Sequence, residues 1–120
     1  MRYLVCGGRN YSDKKSLFQT LSHAHALKPA TVLIHGGANG ADSMAGEWAK
    51  WAGVEVIVFM ADWKKYGKAA GPIRNTQMLD EGKPDAVIAF AGGLGTTNMV
   101  KQARARGIRV IEIESKNEIK

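Results

Sequence analysis

A chain of 120 residues, 45% hydrophobic and 23% charged, has the size and composition of one ordinary globular domain, expected here over residues 1–120. No apolar stretch approaches bilayer-spanning length, Met1-Arg2-Tyr3-Leu4-Val5 runs directly into a strand pattern rather than a leader, and a single cysteine, Cys6, excludes an intramolecular disulfide. These features set the expectation of a cytoplasmic protein with no membrane partner, and the net charge of +6 admits polyanions without identifying one.

In chain order, the apolar run 2–6 predicts a buried strand. A helix is predicted over 12–27, opened by Ser12-Asp13 and carrying Leu17, Leu21 and Ala24 at helical spacing. A strand at 31–35 is followed by a helix over 40–52 whose broad apolar face includes Met44, Ala45, Trp48 and Trp51, ending at Gly53. Trp48 and Trp51, three apart, are read as core or dimer-contact residues rather than ligand contacts. After a strand at 54–59, the segment 60–70 is too polar and aromatic for core and is read as a loop over the ligand edge. A helix over 70–81 begins near Gly71-Pro72 and ends at Gly82. A strand at 85–90, a helix over 95–106 ending at Gly107 and a strand at 108–113 complete the pattern, with only a few polar residues after Ile113. Alternating strands and helices imply right-handed crossovers, hence an α/β, Rossmann-like three-layer fold: a mostly parallel five-stranded sheet flanked by helices.

Three Gly-Gly pairs stand directly behind apolar runs: Gly7-Gly8, Gly36-Gly37 and Gly92-Gly93. In an open α/β sheet such pairs fall at the carboxyl ends of strands, where backbone N–H groups and a following helix dipole favour anions. Gly40, Gly95 and Thr96 extend the second and third loops. The plainer reading is that the glycines only serve tight turns. His35 ends a strand beside Gly36, either as a ligand contact or as a satisfied strand-end histidine. Arg74 falls in the first turn of a helix, placed to hold phosphate or to form a salt bridge. Asp42 is either a helix-start cap or a carboxylate with work in the site, and Asp62 carries the same ambiguity. Trp63 serves either as a base-stacking surface or as an anchor for the covering loop. GxGxxG and a complete Walker A loop are absent from the sequence, and the three histidines and one cysteine lack metal-ligand spacing, so no metal and no cofactor is implied. The basic residues form two small groups, Lys64, Lys65 and Lys68 around Tyr66, and Arg104, Arg106 and Arg109. Neither makes a continuous stripe, which places nucleic-acid binding last.

Gly7-Gly8-Arg9, Gly36-Gly37-Ala38-Asn39-Gly40-Ala41-Asp42, Ala61-Asp62-Trp63 and Gly71-Pro72-Ile73-Arg74-Asn75 resemble, in order, the YspA/YpsA-related (DUF2493) branch of the SLOG superfamily. That superfamily also contains the Lonely Guy and DprA/Smf proteins. The resemblance covers nearly the whole chain and implies a nucleotide or nucleotide-derived ligand, in small stand-alone members found in bacteria and phages. It adds Arg9, Asn39, Asn75 and Thr97 to the expected ligand-binding set. It also implies self-association through helices, leaving a homo-oligomer open. Lonely Guy enzymes carry a PGGxGTxxE motif, in which glycines and threonine bind phosphate and glutamate serves catalysis. The matching stretch here is Ala91-Gly92-Gly93-Leu94-Gly95-Thr96-Thr97-Asn98-Met99, which keeps the phosphate part and puts methionine where the glutamate stands. Methionine moves no proton. The expectation is therefore a non-enzymatic sensor or sequestering module for a nucleotide-derived small molecule. The alternative is an N-glycosidic hydrolase using Asp42 or Asp62, and nucleic-acid binding comes third.

Overall fold

The computed structural model describes residues 1–113; the polar residues after Ile113 fall outside them. Five strands form one sheet: β1 (Arg2–Cys6), β2 (Val32–His35), β3 (Glu55–Val58), β4 (Ala86–Ala89) and β5 (Arg109–Glu112). All pairings are parallel and the order is β3-β2-β1-β4-β5. Four longer helices flank the sheet: α1 (Lys14–Leu27), α2 (Ala41–Ala52), α4 (Ala70–Gly82) and α5 (Leu94–Ala105). The fold is thus α/β and Rossmann-like, and its sheet is wholly parallel. Among the described residues, no helix is long and apolar enough to cross a membrane.

Strand alternation divides the interior into two layers. Tyr3 and Val5 of β1, Leu33 of β2 and Ile88 of β4 face Leu17, Leu21, Ala45 and Trp48 of α1 and α2. Their neighbours Leu4, Cys6, Ile34 and Val87 belong to the other layer, with Met78 and Leu79 of α4 and Met99 and Ala103 of α5. The three central strands are apolar almost throughout because helices cover both faces. Edge strands β3 and β5 expose Glu55 and Arg109. Trp48 is in the core, its indole N–H donating to Ser22 Oγ at 2.9 Å. Trp51 is 72% exposed and leans on Phe18.

Local chemistry explains the helix ends. Asp13 caps α1, accepting from the Ser16 N–H at 3.1 Å. Gly53 and Gly107 close α2 and α5 with positive φ. At the end of α4 the left-handed residue is Lys83, whereas Gly82 is still helical and packs closely on β2, where a Cβ would meet Ile34 at 3.1 Å.

One element departs from expectation. Residues 63–69, read from sequence as loop, form a short helix α3 (Trp63–Tyr66) and a 3-10 turn (Gly67–Ala69) that leads straight into α4. Asp62 starts it by accepting from the Lys65 N–H at 3.1 Å. The segment lacks an apolar period because it lies along the start of α4 rather than in the core, with no residue of α3 or the turn buried.

Candidate functional site

The sheet order reverses between β1 and β4, so the chain leaves these adjacent strands in opposite directions and opens a crevice at their carboxyl ends. The crevice has a volume of about 840 Å³ and is bounded by the loops after β1 and β4, the start of α2, α3, α4 and the first turns of α5.

Glycine is required here by loop-to-loop contact. The Gly8 N–H donates to the Ala91 carbonyl at 2.9 Å, and a Cβ on Gly8 would meet Gly92 Cα at 3.1 Å. A Cβ on Gly92 would in turn meet the Gly8 nitrogen at 2.6 Å and crowd Thr96 Oγ1. Gly40, with φ of +76°, lies against the carbonyls of Gly8 and Arg9. The Gly8 carbonyl accepts from Ala41 and Tyr11, each at 3.2 Å.

The three glycine loops are not equivalent. Behind β2, Asp42 Oδ2 accepts from the N–H groups of Gly36 at 3.1 Å and Ala38 at 3.3 Å. The Gly37 N–H donates to His35 Nδ1 at 2.9 Å. These donors are held inside their own loop, and the start of α2 is covered by the Gly8 carbonyl. At α5 the first turn is open. Gly93 has no capping side chain and no acidic residue follows it in that turn. The first helical bond is from the Thr97 N–H to the Gly93 carbonyl at 3.1 Å, and among the described residues no acceptor takes the N–H groups of Leu94, Gly95 or Thr96. The sequence suggests three donor loops; the folded chain leaves one with its helix-start donors free.

Arg74 ties the start of α4 to the loop after β2. Its Nη1 donates to the Gly36 carbonyl at 2.6 Å and its Nε to Asn75 Oδ1 at 3.1 Å, and among the described residues Nη2 has no protein acceptor. Asn75 is buried, and its Nδ2 donates to the Gly95 carbonyl and to Asn98 Oδ1, each at 3.1 Å. The start of α4 therefore fixes the start of α5. Over the opening, the Arg9 guanidinium stands 5.2 Å from the centre of the Trp63 ring. The basic lining is Arg9, Lys68 and Arg74, and the sole lining carboxylate among the described residues is Asp42.

Asp42 is 5% exposed. Burial raises its pKa, opposed by the loop N–H bonds and the Arg74 charge. Burial also pushes the Cys6 thiol, at the crevice floor, up to about 12, with Asp42 adding to the shift. For His35, burial and then the Arg74 charge lower the pKa.

Of the residues singled out in the sequence, Gly7, Gly8, Arg9, Asp42, Trp63, Arg74, Asn75, Gly92, Gly93, Gly95 and Thr96 line this crevice. Gly36, Gly37, Asn39 and Gly40 do not, because their loop folds back on Asp42 and the β1 loop. His35 is turned away from it, with Nε2 directed at Gly46. Thr97 lines a separate cavity beside β5 with Lys101, Arg104 and Glu112. Asp62 caps α3 outside the crevice, and Met99 is fully buried in the core. Tyr11 and Asn98 also line the crevice and were not expected to, and Lys68, read from sequence only as part of a basic surface group, lines it as well. Asn98 was legible in principle, being one helical turn from Gly95 on the same face.

An open parallel sheet with a polar crevice at its switch point defines a Rossmann-like α/β protein with a ligand-type cleft. The model of the YspA, cpYpsA-related SLOG family matches residues 1–66. The chain is also 35% identical over 123 residues to the "Gene 61 protein" of Mycobacterium phage D29, an alignment covering 96% of this chain and 98% of the relative. The chain belongs to the YspA, cpYpsA-related SLOG family. The family match spans Arg9, Asp42 and Trp63, while Arg74 and the α5 loop lie beyond it.

Proposed function

We propose that this protein binds a nucleotide or nucleotide-derived phosphate in the crevice between β1 and β4, as a sensor or sequestering module. The observation carrying this reading is the uncapped start of α5, whose free N–H groups face a cleft lined by three basic residues. A phosphate there gains backbone donors and the helix dipole. Arg74 Nη2 supplies a further charge-assisted donor, and the half-exposed Trp63 ring, 48% accessible, offers a face for a base.

Gly95→Asp tests this directly. A Cβ at Gly95 meets nothing within 4 Å, so the new carboxylate enters the phosphate seat without a clash. In a helix's first turn it also favours the fold by about 0.3–1 kcal/mol. In a thermal-shift panel of ribonucleoside mono-, di- and triphosphates, the unaltered protein is stabilised by about 2.7 kcal/mol at a ligand concentration near 100 times Kd. Gly95→Asp keeps or raises its own melting temperature and loses that shift. A panel with no shift for the unaltered protein contradicts the reading.

A second reading, hydrolysis of an N-glycosidic bond, is favoured by one observation: Asp42 is buried, lines the crevice and holds its proton more tightly than an ordinary carboxyl. Asp62, engaged as a cap outside the crevice, has no such position. Release of free base by the unaltered protein that stops in Asp42→Asn supports hydrolysis, and binding without release supports the sensor.

A further inference from the structure

Asp42 presents two different oxygens. Oδ2 is occupied by the loop, accepting from Gly36 and Ala38. Oδ1 has no protein donor among the described residues and is not sealed off, since no fully buried side-chain polar atom there lacks a partner. Asp42 is 5% exposed yet lines the crevice. A nearly buried carboxylate oxygen without a protein donor, on a residue that lines a cleft, takes its donor from what fills that cleft.

The surrounding charges restrict that donor. Arg74 lies near enough to stabilise the Asp42 charge electrostatically, but its two bonded nitrogens are engaged by Gly36 and Asn75, and no ion pair joins it to Asp42 among the described residues. A phosphate is repelled from Asp42 and drawn to the start of α5. The ligand must then offer a neutral O–H or N–H group to Asp42 while its anionic end lies at α5. A nucleoside 5′-phosphate has this polarity along its length, with phosphate, a sugar carrying hydroxyl donors, and a base.

We infer that Asp42 Oδ1 accepts a hydrogen bond from a ribose hydroxyl, making Asp42 the residue that selects ribonucleotides over sugars lacking the 2′- and 3′-hydroxyls. This inference rests on the nucleotide reading of the crevice and adds the sugar to it. Asp42 is nearly buried, so a ligand that fills the crevice without offering the hydroxyl leaves this oxygen unpaired, and leaving a buried polar group unpaired is how a site built for a hydroxyl rejects analogues lacking it.

The test is calorimetric titration of the whole protein with the four ribonucleoside 5′-monophosphates and their 2′,3′-dideoxy counterparts. The unaltered protein is expected to bind at least one ribose form about ten-fold or more tighter than its dideoxy form. Asp42→Asn keeps an oxygen for the Gly36 and Ala38 N–H groups but removes the charge, and the ratio falls below about three-fold. Asp42→Ala removes the acceptor, and the ratio falls to about one. If Asp42→Ala fails to fold, Asp42→Asn carries the comparison. Equal affinity for ribose and dideoxy forms in the unaltered protein overturns this assignment and leaves the nucleotide reading standing, as does a ratio unchanged in Asp42→Asn. Binding of no nucleotide overturns both.

Discussion

Met99, on α5, is fully buried between the sheet and α4. A carboxylate there would be desolvated without a partner among Leu4, Ile34, Val87 and Ala103. Met99→Glu is accordingly expected to destabilise the fold by roughly 3–5 kcal/mol, read as a lower urea midpoint, without creating base release. An unchanged midpoint would show that this face of α5 is not sealed. His35 gives a pH dependence of definite sign. Its native pKa lies below the ordinary value of 6.5, through burial and then the Arg74 charge, and its Nδ1 accepts the Gly37 N–H. Below about 6.5 the unfolded chain takes up a proton that the native state resists, so stability falls with acidification until the native histidine also titrates. His35→Asn should flatten this part of a pH–stability profile measured by denaturation, and a profile that keeps its slope would remove His35 as the cause.

At the scale of elements, two glycines with nearly the same φ differ in ψ, −124° at Gly40 against 28° at Gly53, and in what surrounds them. Gly40 and Gly53 have φ of +76° and +74°. A Cβ at Gly53 meets nothing within 4 Å, while one at Gly40 would collide with the carbonyls of Gly8 and Arg9. Gly53→Ala is expected to cost about 1–2 kcal/mol of left-handed strain. Gly40→Ala should cost more and displace the β1 loop; equal losses in urea denaturation would mean that the loops do not press together as described. The strands were legible because their apolar runs are short and bounded by glycine, proline or polar turns, and the Asp13 cap was legible from its residue type. Residues 63–69 were not, since their helix is set by the Asp62 cap and docking onto α4 rather than by an apolar face. Nor could the sequence rank Gly-Gly pairs of identical appearance. Which loop keeps its N–H groups free depends on Asp42, His35 and the Gly8 carbonyl, contacts that exist only once β1, β2 and α2 are assembled.

For the molecule as a whole, the β3-β2-β1-β4-β5 order is what turns local chemistry into a site. It brings the β1 and β4 loops into contact, sets the Asn75 bridge between α4 and α5, and leaves the start of α5 open to the crevice. The net charge of +6 would favour the approach of any polyanion, the proposed nucleotide included, but several surface cations are already paired, as in Lys14–Glu47, Arg104–Glu112 and Arg106–Asp80. Charge alone therefore does not point to a seat for the proposed ligand; the proposal rests on the free backbone donors at the start of α5. The most direct measurement is an amide-resolved NMR titration of the protein with a ribonucleoside 5′-triphosphate. The largest shifts are expected at the N–H groups of Leu94, Gly95 and Thr96, with the Gly36–Ala38 amides, already bonded within their loop, moving less. Saturable shifts centred on the Gly36–Ala38 loop, or none at the start of α5, would contradict the placement of the phosphate.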